Sequence, residues 1–323
     1  MNKQVLKNIA GTIAIPGIFF LITSLVCASH GIALFSSQGN WVSFFRAVAG
    51  VAMTTFALSI NLGTGRFDFS IGAVALLSSV ISSTICINNG WGWGPMLLFS
   101  ILSAAVLGLA SGTIYVLLRL PAIIVSLGVT LLYEGAAFAM TDGYGVSFVT
   151  NRALTSFPGV PKYAVLISSA LVFMIVVYDH TRFGYEYSAL KSGQEIAVNM
   201  GIKEIPNTLA CYTIAGALMG IVGFISATNT GTIQMSLNFG SIVTMFTAFL
   251  PMFIGSFIGR FTSDKIGYVL GAASTAFLSL AYARLQMDSS VQQIVTALVL
   301  VGFLIYLNNE QRILAIFRKG KGR

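Results

Sequence analysis

Charged side chains are the scarcest class in this chain: Asp, Glu, Lys and Arg make up 9% of its 323 residues, against about a quarter in soluble domains. So few charges cannot clothe a water-soluble globule of this size. Carboxylates are rarer still, ten in all. Asp179, Glu186, Glu195, Glu204, Asp264 and Glu310 fall between apolar runs on one expected side, and Asp142 and Asp288 on the other. That leaves only Asp68 and Glu134 for membrane depth, thin provision for proton- or ion-coupled transport, which draws on intramembrane acids. His30 and His180 are isolated, and Cys27, Cys86 and Cys211 sit in apolar runs without ligand spacing. The expectation is therefore free buried thiols and no metal. No GxxxxGK[ST] loop is present, which excludes nucleotide hydrolysis by that route. There is also no Pro- or Ser-rich linker and no soluble block of domain size.

What the chain does have is apolar sequence, 56% of it, with a mean hydropathy of +0.85. At about 20 residues per crossing, spans are expected near 11–34, 42–62, 70–89, 95–118, 122–141, 161–178, 208–228, 239–259, 266–284 and 290–308. The fold class is all-α: a polytopic integral membrane protein of about ten transmembrane helices, organised as one domain over 1–323. Short cytoplasmic loops carry an excess of Lys and Arg. With both termini inside, 14 of the 18 basic residues fall on that side, and Arg46, Arg152, Lys162 and Arg284 do not. Orientation against anionic membrane lipid thus accounts for the net charge of +8, and no nucleic-acid partner is needed. The basic tail reads as a topological anchor. The first span exceeds a signal-peptide core and lacks a clear small-x-small site, so it is expected to stay in the mature chain.

One segment breaks the apolar pattern. Residues 181–202 read TRFGYEYSALKSGQEIAVNMGI, charged and helix-forming. Ser192-Gly193-Gln194-Glu195 has capping-box spacing, with Ser192 and Glu195 satisfying the first free N–H groups, and Gly201 is placed to close a helix of about two turns. Ile196 and Met200, four apart, share one face of it. A polar loop of about 179–207 would then present an apolar knob to a partner.

Three motifs carry a resemblance. Thr64-Gly65-Arg66-Phe67-Asp68-Phe69-Ser70-Ile71-Gly72 is similar to a TGGIDLSVG segment. Pro121 to Gly128 is similar to PxFIVTLG, followed by Tyr133-Glu134-Gly135 where Tyr-Arg-Gly is usual. Thr181, Phe183, Gly184, Ala189, Ala197, Gly201 and Ile202 fit a T-x-FGR loop with its A-x-G-x-N-x-x-AA-x-x-x-GI helix. Together they resemble the permease subunits of ribose-type sugar ABC importers, within the broader family that also serves autoinducers, nucleosides and branched-chain amino acids. Gly216, Gly220 and Gly223 resemble that family's small-residue helix, where glycines allow close approach. The departures are Arg66 for a glycine, Tyr185 for an arginine, Gly193 for an asparagine, and Phe253 to Phe261, where only Gly255, Ser256 and Gly259 remain of a GGxS…GG pattern.

The resemblance implies a non-catalytic permease domain in the bacterial cytoplasmic membrane. It would carry a ribose-like or other monosaccharide inward, driven by separate ABC ATPase subunits that consume the ATP, with no cofactor of its own. Expected partners are those subunits, an extracytoplasmic solute-binding protein docking on residues 142–162, and a second permease protomer, identical or a sister chain. Ser192, Glu195, Ile196, Ala197, Met200 and Gly201 would form the helix coupled to the ATPase. Candidates for the translocation path are Asp68, Ser70, Glu134, Thr244, Thr247, Phe249 and Phe253. Several also have a plainer role: Asp68 or Ser70 as a helix cap, Glu134 as a structural partner of Arg46, and Phe246, Phe249, Phe253 and Phe257 as a lipid-facing or packing stripe. An ion-coupled carrier or channel and a membrane-embedded lipid enzyme are the rival classes, the first disfavoured by the missing carboxylates and the second by the lack of acidic motifs.

Overall fold

A computed structural model describes the backbone of residues 3–320 and the side chains of residues 8–310. The basic side chains of Lys3, Lys7, Arg312, Arg318, Lys319, Lys321 and Arg323, expected to mark the inner face, lie outside the described residues. The elements in chain order are α1 (Lys3–Ser29), α2 (Gln38–Gly63), α3 (Ile71–Asn88), α4 (Trp93–Leu118), α5 (Ala122–Met140), β1 (Val146–Ser147), α6 (Arg152–Thr155), α7 (Val160–His180), α8 (Arg182–Ser192), α9 (Gln194–Asn199), α10 (Glu204–Thr230), β2 (Thr232–Ile233), a 3-10 turn (Gly240–Ile242), α11 (Val243–Phe246), α12 (Phe249–Gly259), α13 (Asp264–Arg284) and α14 (Ser289–Gly320). Ten helical stretches among the described residues are long and apolar enough to cross a membrane. They fall where the apolar runs place them, and the protein is an all-α polytopic membrane protein. The eighth is not one helix: the 3-10 turn and α11 precede a break at residues 247–248, and α12 follows.

Two compact units account for the chain, Met1–Ser36 with Phe249–Arg323, and Ser37–Ala248. In the first, Leu250, Ile254 and Ile258 recur on one face of α12 and gather Ile15 and Phe19 of α1, Leu270 and Leu278 of α13, and Val299, Leu300 and Phe303 of α14. The surviving glycines of the divergent segment explain themselves here. A Cβ on Gly255 would meet Tyr268 and Gly267, and one on Gly259 would meet Asp264, so α12 and α13 touch backbone to backbone. Phe257 packs on Phe303 and Tyr306, and Phe249 stacks on Phe253 at 6.3 Å. Phe249, Phe253 and Phe257 thus keep the four-residue spacing of one face of α12, whereas Phe246, ahead of the break, lies against Phe69 at 6.2 Å.

The second unit is built around α2, α3 and α10, the helices with the most interior residues. Around them, α4 turns Leu98, Leu102, Val106 and Leu109 outward, an apolar stripe at helical spacing that suits lipid. Close approach of α4 and α10 follows from small residues. A Cβ on Gly216 would collide with the Ala104 carbonyl, and one on Gly220 with that of Ser100; in return the Ser100 hydroxyl donates to the Gly220 carbonyl at 2.7 Å. Gly223 makes the same kind of contact with Ala75 of α3. Dispersion and such hydrogen bonds, rather than the hydrophobic effect, hold helices together in lipid. At one end, β1 and β2 pair antiparallel, Val146 opposite Ile233 and Ser147 opposite Thr232. Cys27, Cys86 and Cys211 are free and buried.

Candidate functional site

The segment 181–202 folds as two helices, not one. Thr181 caps α8 by accepting the Gly184 N–H at 3.4 Å, and Tyr187 fastens α8 to the end of α2 by donating to the carbonyls of Ser59 and Ile60 at 3.2 and 3.1 Å. The expected capping box is corrected by this arrangement. Ser192 is the last residue of α8, and its hydroxyl donates backward to the Ser188 carbonyl at 2.9 Å. Gly193, fully extended, is the joint, and no side chain caps α9. α9 closes as expected: Gly201 adopts φ +91°, and the N–H groups of Gly201 and Ile202 donate to the carbonyls of Val198 and Ala197 at 2.9 and 3.1 Å. Glycine tolerates that left-handed backbone without strain.

α9 is held by one small residue and shows its large ones. Ala197 is buried, while Ile196 and Met200 are 69% and 80% exposed and Glu195 is exposed beside them. An open hollow of about 900 Å³ lies against it, lined by Gln194, Glu195, Ile196, Val198 and Glu204 among others.

The candidate path residues separate into distinct roles. Asp68, 3% exposed, accepts the Ser70 N–H at 2.9 Å and the Ser70 hydroxyl at 2.6 Å, ahead of α3, and the Asn61 amide at 3.1 Å. That is an Asx-type turn leading into α3 rather than a cap, since no side chain caps the N-terminus of α3. Burial pushes its carboxyl above the usual range, against the lowering effect of the Ser70 and Asn61 hydrogen bonds. Glu134 does not pair with Arg46. Its oxygens accept the N–H groups of Phe239 and Ser241 at 3.0 and 2.8 Å and the Ser241 hydroxyl at 2.6 Å, whereas Arg46 donates to Asn229. The reason is placement, since Glu134 sits under the 3-10 turn and supplies the acceptor its N–H groups need.

Thr244 lines a cavity of about 400 Å³ between α3, α10 and residues 232–244, together with Ser79, Ser226, Gln234, Ser236 and Ser241. Among the described residues, no charged side chain lines it. Thr247 is exposed outside it, its hydroxyl donating to the Thr244 carbonyl at 2.7 Å. Sequence reasoning missed Ser226, Gln234 and Ser236, although TNTGTIQMS, residues 228–236, is a conspicuous polar run after an apolar helix. It also missed the pairing of buried Arg66 with the half-buried Glu204 at 3.4 Å. Among the described residues, no group of His, Cys, Asp and Glu could hold a metal.

Residues 42–308 match the family model described as the permease component of branched-chain amino acid transport systems. The chain belongs to this permease family. Its relatives include the autoinducer 2 import system permease protein LsrC of Yersinia pseudotuberculosis serotype O:1b (strain IP 31758), 24% identical over 279 residues, 84% of this chain and 78% of that protein. LsrC of Enterobacter sp. (strain 638) is 24% identical over 309 residues, 94% of this chain and 88% of that protein. LsrC of Yersinia pestis (strain Pestoides F) is 23% identical over 279 residues, with coverages of 84% and 78%. The resemblance read from the motifs is thereby upheld: the chain is a multi-pass permease related to the ribose-type ABC importer permeases. Permeases of this family move solutes and are not themselves enzymes.

Proposed function

We propose that this permease is the membrane-spanning subunit of an ATP-driven importer, engaged at α9 by a separate ATPase subunit. The observation that carries the reading is the geometry of α9, a short helix anchored through Ala197 that turns Ile196 and Met200 outward in a chain without a nucleotide-cradling loop. Exposed apolar pairs of this kind fit a hydrophobic groove in a partner. ATP is consumed by that partner, and this chain needs no cofactor. The excess of basic residues expected in short cytoplasmic loops supports a cytoplasmic position for α8, α9 and both termini, with residues 142–162 outside to receive a solute-binding protein.

The solute is a small neutral polyhydroxylated molecule, a monosaccharide or a compound of the autoinducer 2 kind. The uncharged cavity lined by Ser226, Gln234, Ser236 and Thr244 supports this, because hydroxyl and amide groups match a polyol without the desolvation cost of a charged ligand. A second permease protomer completes the pathway, and the whole chain acts as one permease domain. The reading is tested by gentle detergent purification of the tagged chain with its neighbours. ATPase subunits should come down with it. Ile196→Asp and Met200→Asp should each weaken that association by about 2 kcal/mol or more, the loss typical of a central interface residue, and should lower uptake while membrane insertion stays normal. Normal uptake in both variants refutes the role of α9.

A further inference from the structure

We infer that Glu204 transmits the movement of α9 to the buried segment 64–70 through Gln194 and Arg66. This inference rests on the reading of α9 as the helix an ATPase engages. The backbone leads from α9 forward into α10, through residues 200–203, and back through Gly193 into α8, which Tyr187 ties to the end of α2; the side chains add a further connection, one that reaches residue 66 itself. Oε1 of Glu204, the first residue of α10, accepts the Gln194 side-chain amide at 2.6 Å and the Arg66 guanidinium at 3.4 Å. Arg66 is 2% exposed, and its other terminal nitrogen donates to the Thr64 hydroxyl at 2.9 Å.

The segment that receives the push is itself stiff. The Asn61 carbonyl accepts the N–H groups of Thr64 and Arg66, the Asn61 amide and Ser70 hold Asp68, and the Ser126 hydroxyl reaches the Phe67 carbonyl at 3.4 Å. A displacement delivered at Arg66 therefore moves residues 64–70 together, with the start of α3 that follows them. A buried guanidinium stripped of its carboxylate is strongly disfavoured, so the Arg66–Glu204 pair stays closed and the strain passes along it. Arg66 stands where the resembled TGG pattern has glycine, which could make no such link. Gln194 is exposed and Glu204 lies at the rim with its side chain 31% exposed, so the connection begins where a partner reaches it and ends in the interior.

Two measurements test this. The first needs no partner: hydrogen–deuterium exchange of the purified full chain should be about tenfold faster at residues 64–68 in Glu204→Gln than in the wild type, the effect of one weakened bond to a charged group. Unchanged exchange there overturns the inference whatever the fate of the ATPase reading. The second uses the complex in proteoliposomes. Gln194→Ala, which leaves the buried pair intact, should lower solute moved per ATP about fivefold while the ATPase subunits still co-purify, and adding Glu204→Gln should lower it little further. Full coupling in Gln194→Ala, or losses that add, overturns the inference. Absence of any ATPase from wild-type preparations would instead refute the functional reading, and the exchange result would stand apart from it.

Discussion

Glu134 offers the sharpest division between a path residue and a structural one. It is 1% exposed on α5, and its carboxylate takes three hydrogen bonds from Phe239 and Ser241. Those donors belong to a strained turn: Asn238 and Phe239 both hold positive φ, +56° and +67°, a conformation that costs a non-glycine residue roughly 1–2 kcal/mol. Two such residues in succession persist only when their surroundings over-determine them. The carboxylate is that constraint, and it also fixes Ser241, whose carbonyl lies so close to Gly72 that a Cβ there would collide with it. In Glu134→Gln one oxygen keeps its partners while the new NH2 group faces a backbone N–H. Losing a bond to a charged acceptor and leaving a buried donor unpaired should cost about 3 kcal/mol. Glu134→Ala strands three donors and should cost more. At about 2 °C per kcal/mol for a chain of this size, thermal unfolding in mild detergent should fall by about 6 °C in Glu134→Gln. Uptake should fall only in proportion to folded protein. A Glu134→Gln variant that melts like the wild type yet transports nothing would refute the capping role and return Glu134 to the path.

Asp68 should respond to substitution differently. In Asp68→Asn the Asn61 amide can turn, because its Oδ1 has no partner, so stability at neutral pH should match or exceed the wild type, while Asp68→Ala should lose about 1–3 kcal/mol by leaving the buried Ser70 and Asn61 donors unpaired. Burial raises the Asp68 pKa, so the folded state holds its proton to higher pH than the unfolded chain. The wild type should thus lose stability relative to Asp68→Asn as pH rises from the ordinary carboxylate range through that raised value; a difference independent of pH would count against burial as the cause. Gly216→Leu should separate α4 from α10 and destabilise by about 1–3 kcal/mol. Gly302→Ala, with nothing within 4 Å of the new methyl, should leave the melting temperature unchanged or slightly higher.

Apolar run length made the ten spans legible, because a helix that satisfies its own backbone is what a bilayer demands. The glycines of α10 were legible for a similar reason: small residues recurring within an apolar helix mark where another backbone passes. The pattern at residues 192–195 misled because a serine followed by Gly-Gln-Glu has the spacing of a cap whether it opens one helix or ends another, and only the tertiary anchor of α8, Tyr187 on the α2 terminus, settles which. Glu134 and its acceptor role lie 105 residues apart in sequence from Phe239, a separation no local pattern encodes. Arg66 shows the limit most clearly. Counted as a loop cation, it supports an orientation; buried against Glu204, it becomes a contact between the loop ahead of α3 and the start of α10. Charge counting sees which side of a membrane a residue favours and cannot see its partner. In a chain with ten carboxylates, placing two of them, Asp68 and Glu134, as hydrogen-bond acceptors for backbone N–H groups and a third, Glu204, between an exposed helix and a buried arginine leaves little acidic chemistry for ion coupling. That allocation, more than the low acid count itself, favours movement driven from outside the membrane.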